Sequence, residues 1–283
     1  MEEIANKVFL EDRFPGLVLG AIKLSDGLLL IDAPFRHEDI HAWRTTLSSL
    51  GGKPNKILVL SDTHLDRTFG LRGMESLVVG HHSSIEILQN RLSSARPQEI
   101  DPGAAMIPYE LAINARWMMP DITYTDQISI HLDEDPVLIT HHPGSHLAGS
   151  WVRFDEAKVL FVGDSVTTNQ PPFLAWADLD RWIADIELLA SDEFRGYKII
   201  SARQGRLYHQ SISKMGRILT ELRRLVTGLA EAAEPLEVIQ KTVPTLLKQF
   251  SFDIEMTDLY RNRLIWGLEK YLQRHYLESS SGG

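Results

Sequence analysis

The chain has 283 residues, a formal net charge of −9, 43% hydrophobic and 24% charged residues, and no cysteine. That length suits one large α/β domain with an appendage, and the composition points away from disorder and from a membrane-embedded fold. Without cysteine there are no disulfides, zinc ribbons or thiol nucleophiles, so a metal site must be built from His, Asp and Glu. The negative charge argues against a nucleic-acid partner; the arginines at 217, 223 and 224 read as the solvated face of an amphipathic helix. No apolar run approaches the roughly 18 residues that span a bilayer, and the start, MEEIANKVFLED, is acidic where a secretory signal is basic and then apolar. A cytoplasmic protein with no membrane partner is expected.

In chain order, LVLGAIKLS and GLLLIDA flank Asp26-Gly27, a hairpin signal that makes them antiparallel neighbours. A helical stretch at 37–50 follows, then the strand KILVL at 56–60, the turn SDTHLD and the strand ESLVV. Residues 101–120 hold three prolines and no clean periodicity, and read as a long excursion. QISIHL, PVLIT, WVRF and KVLFV read as strands, followed by a helix at 178–190 and the strand YKIIS. After Ser211 the periodicity is helical only, with helices expected at 206–231, 235–250 and 254–276. The division expected is a main domain at 1–211, a helical region at 212–278 and a flexible tail at 279–283.

Three turns after apolar strands carry the candidate chemistry. In Asp62-Thr63-His64-Leu65-Asp66-Arg67 the alternate residues Asp62, His64 and Asp66 share a face while the segment is extended. The loop His141-His142-Pro143-Gly144-Ser145-His146 is shaped by its proline and glycine to present a histidine, and Leu160-Phe161-Val162-Gly163-Asp164 ends another strand in an acid. Ligand-type residues at three strand ends suggest one metal site.

The order and spacing of these motifs, with Asp32 in LLLIDA before them and Ala202-Arg203-Gln204-Gly205 after them, resemble the metallo-β-lactamase superfamily over residues 6–210. The resemblance implies an αββα sandwich with a C-terminal helical extension and a metal site at one edge of the sheets. It implies that Asp62, His64 and His146 hold one metal ion, that Asp164 bridges, and that Asp66 serves a second ion. Asp62, Arg67 and Gln204 stand where the family has histidines, so the second position is weakened. A carboxylate in place of an imidazole moves the site toward harder ions, and Mn²⁺ or Fe²⁺ joins Zn²⁺, the first choice, as the divalent cofactor. Asp66 could also orient water or take its proton. Arg67 is a clamp for a substrate anion, a stand-in for the second cation, or an ion-pair partner of Asp62 or Asp164. Asp32 is structural.

Other residues have two uses each. His82 can approach the site or cap a helix; His142 can orient His146 through a carboxylate, with His141 pointing the other way. His209 can replace a ligand or lie on a helix surface, and Trp117, Met118 and Met119 can line a pocket or pack the excursion. Two functions fit: a metallohydrolase of a small ester, thioester, lactone or phosphodiester using metal-activated water, and a non-catalytic binding or scaffold protein. A small-molecule substrate is the partner expected, and a homodimer is compatible with the sequence.

Overall fold

The computed structural model describes residues 1–51, 55–93 and 117–277. Residues 101–116 of the proline-bearing excursion and the tail at 279–283 lie outside the described residues. The chain divides into two compact units, the first formed from the described parts of Met1–His141, Ala148–Gly163 and Gly196–Leu207, and the second from His142–Leu147, Asp164–Arg195 and the chain from Tyr208 onward.

The first unit holds two sheets. One runs β1 (Glu2–Ala5), β2 (Val8–Glu11), β3 (Leu19–Leu24), β4 (Gly27–Ile31), β5 (Lys56–Val59), β6 (Leu77–His81) and β7 (Ile122–Tyr124) in spatial order. Its first four strands are antiparallel and its last four parallel. The hairpin expected at Asp26-Gly27 joins β3 to β4, with Leu24 opposite Gly27. The other sheet comprises β8 (Gln127–Ile130), β9 (Val137–His141), β10 (Ser150–Phe154), β11 (Val159–Phe161), β12 (Lys198–Ser201) and β13 (Gly205–Arg206), with β11 and β12 parallel. β1, β2, β7 and β13 were not expected from the sequence: each is two to four residues long, too short for its periodicity to stand out.

Alternation along the strands explains the layers. Ile22, Leu29, Ile31, Val59 and Val79 share a core cluster with Ile139, Val152, Phe154, Phe161 and Ile200 of the other sheet. Ala21, Leu28, Leu30, Leu58 and Val78 point the other way and meet Trp43 and Leu47 of α1 (His37–Ser49) and Leu71 and Met74 of α3 (Leu71–Met74). Strands covered on both faces read as continuous apolar runs, as GLLLI and KILV do. The short α2 (Leu65–Thr68) lies in the ligand turn, and α4 (Ser83–Ser93) follows β6.

The second unit is helical, with α5 (Leu179–Leu189), α6 (His209–Ala230), α7 (Pro235–Leu247) and α8 (Thr257–Leu272). Asp178 caps α5 by accepting from the Arg181 N–H at 3.1 Å. α6 buries Ile212, Met215, Ile218, Leu219, Leu222, Val226 and Leu229, a stripe at three- and four-residue spacing. Arg217, Arg223 and Arg224 lie on its exposed side. No helix among the described residues is long and apolar enough to cross a membrane.

Candidate metal centre

β4 ends at Ile31, and Asp32 follows in a left-handed backbone conformation with φ of 61°, a region an Asp tolerates better than most residues. Its amide donates to the Val59 carbonyl at 3.0 Å. Its fully buried carboxylate accepts from the Ser61 N–H at 2.9 Å and the Ser61 hydroxyl at 2.6 Å. Burial, helped by the neighbouring Asp62 charge, pushes the Asp32 carboxyl up to about 6, against the opposing pull of Arg67 and Ser61. Asp32 thus ties the end of β4 to the start of the ligand turn, the structural place expected of it.

Within the turn, Asp62 accepts the His64 N–H at 2.8 Å, a local bond that bends the chain back before α2. Arg67, one helical turn on, donates to Asp62 and, at 2.8 Å, to the Ser61 hydroxyl, with its Nε 3.5 Å from Asp32. Its side chain is 0% exposed. Of the uses open to Arg67, the structure displays the ion pair with Asp62.

Asp66 is also buried, and both its oxygens accept from Arg203, one of them at 3.2 Å. Arg203 also donates to the Gly16 carbonyl at 3.0 Å. Sequence reasoning missed Arg203, although a charged residue in the tight turn after the apolar strand YKIIS was a signal for it. Gln204 beside it is half-buried.

Asp164 comes off β11 through Gly163, which takes φ of 54° and whose Cα lies so close to Ser61 that a Cβ would stand 3.2 Å from the Ser61 Cβ. Asp62, His64 and Asp164 are buried, and each offers a ligand atom within 4.8 Å of the other two. One imidazole and two carboxylates form a nitrogen and oxygen donor set that fits a borderline or hard divalent ion. His146 is fully buried and is not in that group of three.

The other expected residues have distinct places. His142 Nδ1 is 2.8 Å from Asp185 of α5, the carboxylate contact expected of it. His81 donates from Nε2 to the Thr125 carbonyl at 2.8 Å, accepts the Ser83 N–H on Nδ1 at 3.2 Å, and stacks on His141 with 3.5 Å between ring centres. Burial and the His141 ring hold it down at about 4, so it is neutral near pH 7. His82 is exposed just before α4, and His209 is exposed at the start of α6. Trp117 packs with Leu65 and Leu88, beside Phe69 and Met119, and Met118 lies against the α1 cluster. Packing is their use among the described residues.

Among solved structures, a metallo-β-lactamase family protein from Thermus thermophilus superposes with a TM-score of 0.68 at 14% identity, over 96% of this chain and 95% of that one. A stereoselective inverting sec-alkylsulfatase from Pseudomonas sp. gives 0.67 at 15%, over 96% of this chain and 49% of that one. A metallo-β-lactamase from Pontibacter korlensis gives 0.58 at 16%, over 77% and 97%. No curated protein matches the sequence. At such identities the likeness shows the fold, and it is the family model that adds descent. The model of the metallo-beta-lactamase superfamily matches residues 20–199, from the strand before Asp32 through the turns that present His64, His146 and Asp164, and the chain therefore belongs to that superfamily.

Proposed function

We propose that the chain is a metal-dependent hydrolase of a small ester, thioester, lactone or phosphodiester. The convergence of Asp62, His64 and Asp164, buried and within 4.8 Å of one another, carries the reading. His146 is proposed as the further ligand. When bound, a divalent ion acidifies water toward neutrality and polarises a carbonyl or phosphoryl oxygen. Zn²⁺ is the first choice, with Mn²⁺ and Fe²⁺ credible because two of the three donors are carboxylates. The protein's own contribution is orientation. The His64 amide and the Arg67 guanidinium fix the Asp62 carboxylate from two sides, and Asp32 holds Ser61 and so the root of the turn. Asp66, clasped by Arg203, is a positioning group in this scheme. A cytoplasmic location belongs to the same proposal.

The ion pairs that engage Asp62 and Asp66 also suit the second reading, a non-catalytic binding protein. Both are tested by loading the purified chain with Zn²⁺ or Mn²⁺, counting bound metal, and assaying nitrophenyl esters, thioesters, lactones and bis(nitrophenyl) phosphate. Hydrolysis of one class and loss of both metal and activity in His64→Ala are expected. Metal bound without turnover of any class favours the binding protein. Unchanged metal content in His64→Ala removes His64 from the site.

A further inference from the structure

We propose that α5 positions both metal ligands of the second unit, His146 and Asp164, through Trp182 and Asp185. The inference rests on the metal-binding reading above and names residues that orient its donors.

Asp178, Trp182 and Asp185 follow one another at intervals of four and three residues, so they share one face at and beyond the start of α5. Each reaches a segment that carries a ligand. The Asp178 N–H donates to the Gly144 carbonyl at 2.9 Å, two residues before His146. The Trp182 Nε1–H donates to the Ser165 carbonyl at 2.7 Å, next to Asp164. Asp185 Oδ1 is 2.8 Å from His142 Nδ1 at the start of the loop, and its Oδ2 lies where a Cβ on Gly144 would come within 2.5 Å. The loop at 142–147 and residues 164–195 belong to the same compact unit, so every one of these contacts is internal to it.

Filling the core does not require these polar groups. The buried residues of α5 are Leu179, Trp182, Asp185, Ile186 and Leu189. A carboxylate in such a stripe is costly unless it is partnered, and the partner that Asp185 meets is the loop bearing His146. Trp182 is 1% exposed, and the single donor of its indole is directed to the carbonyl beside Asp164. A phenylalanine would fill most of that space without the bond. One helix thus fixes the backbone that presents both ligands, and a change on its inner face reaches both.

The test is the affinity of the full chain for Zn²⁺ and Mn²⁺, measured by chelator competition in Trp182→Phe, Asp185→Ala and Trp43→Phe. Trp43 is 0% exposed and its Nε1 has no hydrogen-bond partner among the described residues, so Trp43→Phe trims a buried indole without losing a bond. Both α5 variants should bind metal about ten- to a hundredfold more weakly than the parent, as when groups that hold ligands in place are removed. Trp43→Phe should match the parent, and Asp185→Asn, which keeps an acceptor for His142, should recover most of the affinity. Co²⁺ bound in place of Zn²⁺ gives a reading independent of stability, because its visible absorption follows ligand geometry: the spectrum should shift in both α5 variants and not in Trp43→Phe. Parent-like affinity and spectrum in either α5 variant would overturn the claim that one helix holds both ligands and leave the hydrolase proposal standing. Equal weakening in Trp43→Phe would assign the effect to general destabilisation and overturn it as well. A parent chain that binds no metal overturns the metal-binding reading and this inference with it. Should Asp185→Ala not fold, His142→Phe removes the same contact from the side of the loop, and the same outcomes decide.

Discussion

At the scale of single residues, Arg67 organises the ligand turn. Deleting one partner of a buried pair leaves the other as an uncompensated charge, which typically costs about 3–5 kcal/mol. Arg67→Ala would take the guanidinium from Asp62 and from beside Asp32, so urea denaturation should show a loss of that order. A loss under about 1 kcal/mol would mean that Arg67 is not a working ion-pair partner. The sequence named Arg67, Asp62 and Asp32 individually, because each departs from or agrees with a motif position. It could not say which carboxylate Arg67 meets, because that depends on where β4 and β5 bring Asp32 and Ser61 together. Arg203 escaped notice for the same reason: its partner Asp66 is 137 residues away, a separation that no local pattern encodes.

At the scale of elements, the loop His142–Leu147 is fitted to α5. The Gly144 carbonyl accepts from Asp178 N–H at 2.9 Å, His142 reaches Asp185, and a Cβ on Gly144 would lie 2.4 Å from the Trp182 Cα. Because the clash is with backbone, Gly144→Ala must displace the loop or the helix, and a cost of about 1–3 kcal/mol is expected. Thermal denaturation of that variant checks it, and an unchanged midpoint would show that the contact yields freely. Long periodic helices were legible: stretches expected at 178–190, 206–231, 235–250 and 254–276 are found at Leu179–Leu189, His209–Ala230, Pro235–Leu247 and Thr257–Leu272. Their ends differ by up to four residues, because periodicity marks the body of a helix better than its last turns.

The junction of β6 and α4 makes a second prediction at this scale. His81 titrates at about 4 in the folded chain, against an ordinary 6.5. The unfolded chain therefore takes up the proton first, so stability is complete above about 6.5 and is lost as pH falls toward about 4. Protonation would also put a charge on Nδ1, which now accepts the Ser83 N–H. Urea midpoints measured at pH 7 and pH 5 should drop for the parent and drop less for His81→Gln. Equal drops in both would assign the acid sensitivity elsewhere.

At the scale of the whole molecule, the helices beyond Tyr208 share a unit with Asp164–Arg195. Within it α6 approaches α5 closely enough that a Cβ on Gly216 would lie 3.4 Å from Ile186, and α8 sends Arg263 into the Gln170–Phe173 segment, donating to Gln170 at 2.8 Å and Pro171 at 3.1 Å. A fragment of residues 208–277 would expose these apolar surfaces. It should lack a cooperative unfolding transition by circular dichroism, while one spanning 164–277 should recover at least part of it. A sharp transition in the shorter fragment would show that the helices fold without that partner.

Arg263 also sets a timetable for synthesis. Its guanidinium, 1% exposed, lies 4.0 Å from the Phe173 ring and 4.6 Å from the Tyr260 ring. Its bond to Gln170 spans 93 residues. A ribosome adding about 5–20 residues per second leaves the Gln170–Phe173 segment waiting roughly 5–20 seconds for its arginine to emerge. Through that interval Phe173 lacks the guanidinium of Arg263. Slowing translation between codons 173 and 263 would lengthen the time for which that ring goes without its arginine.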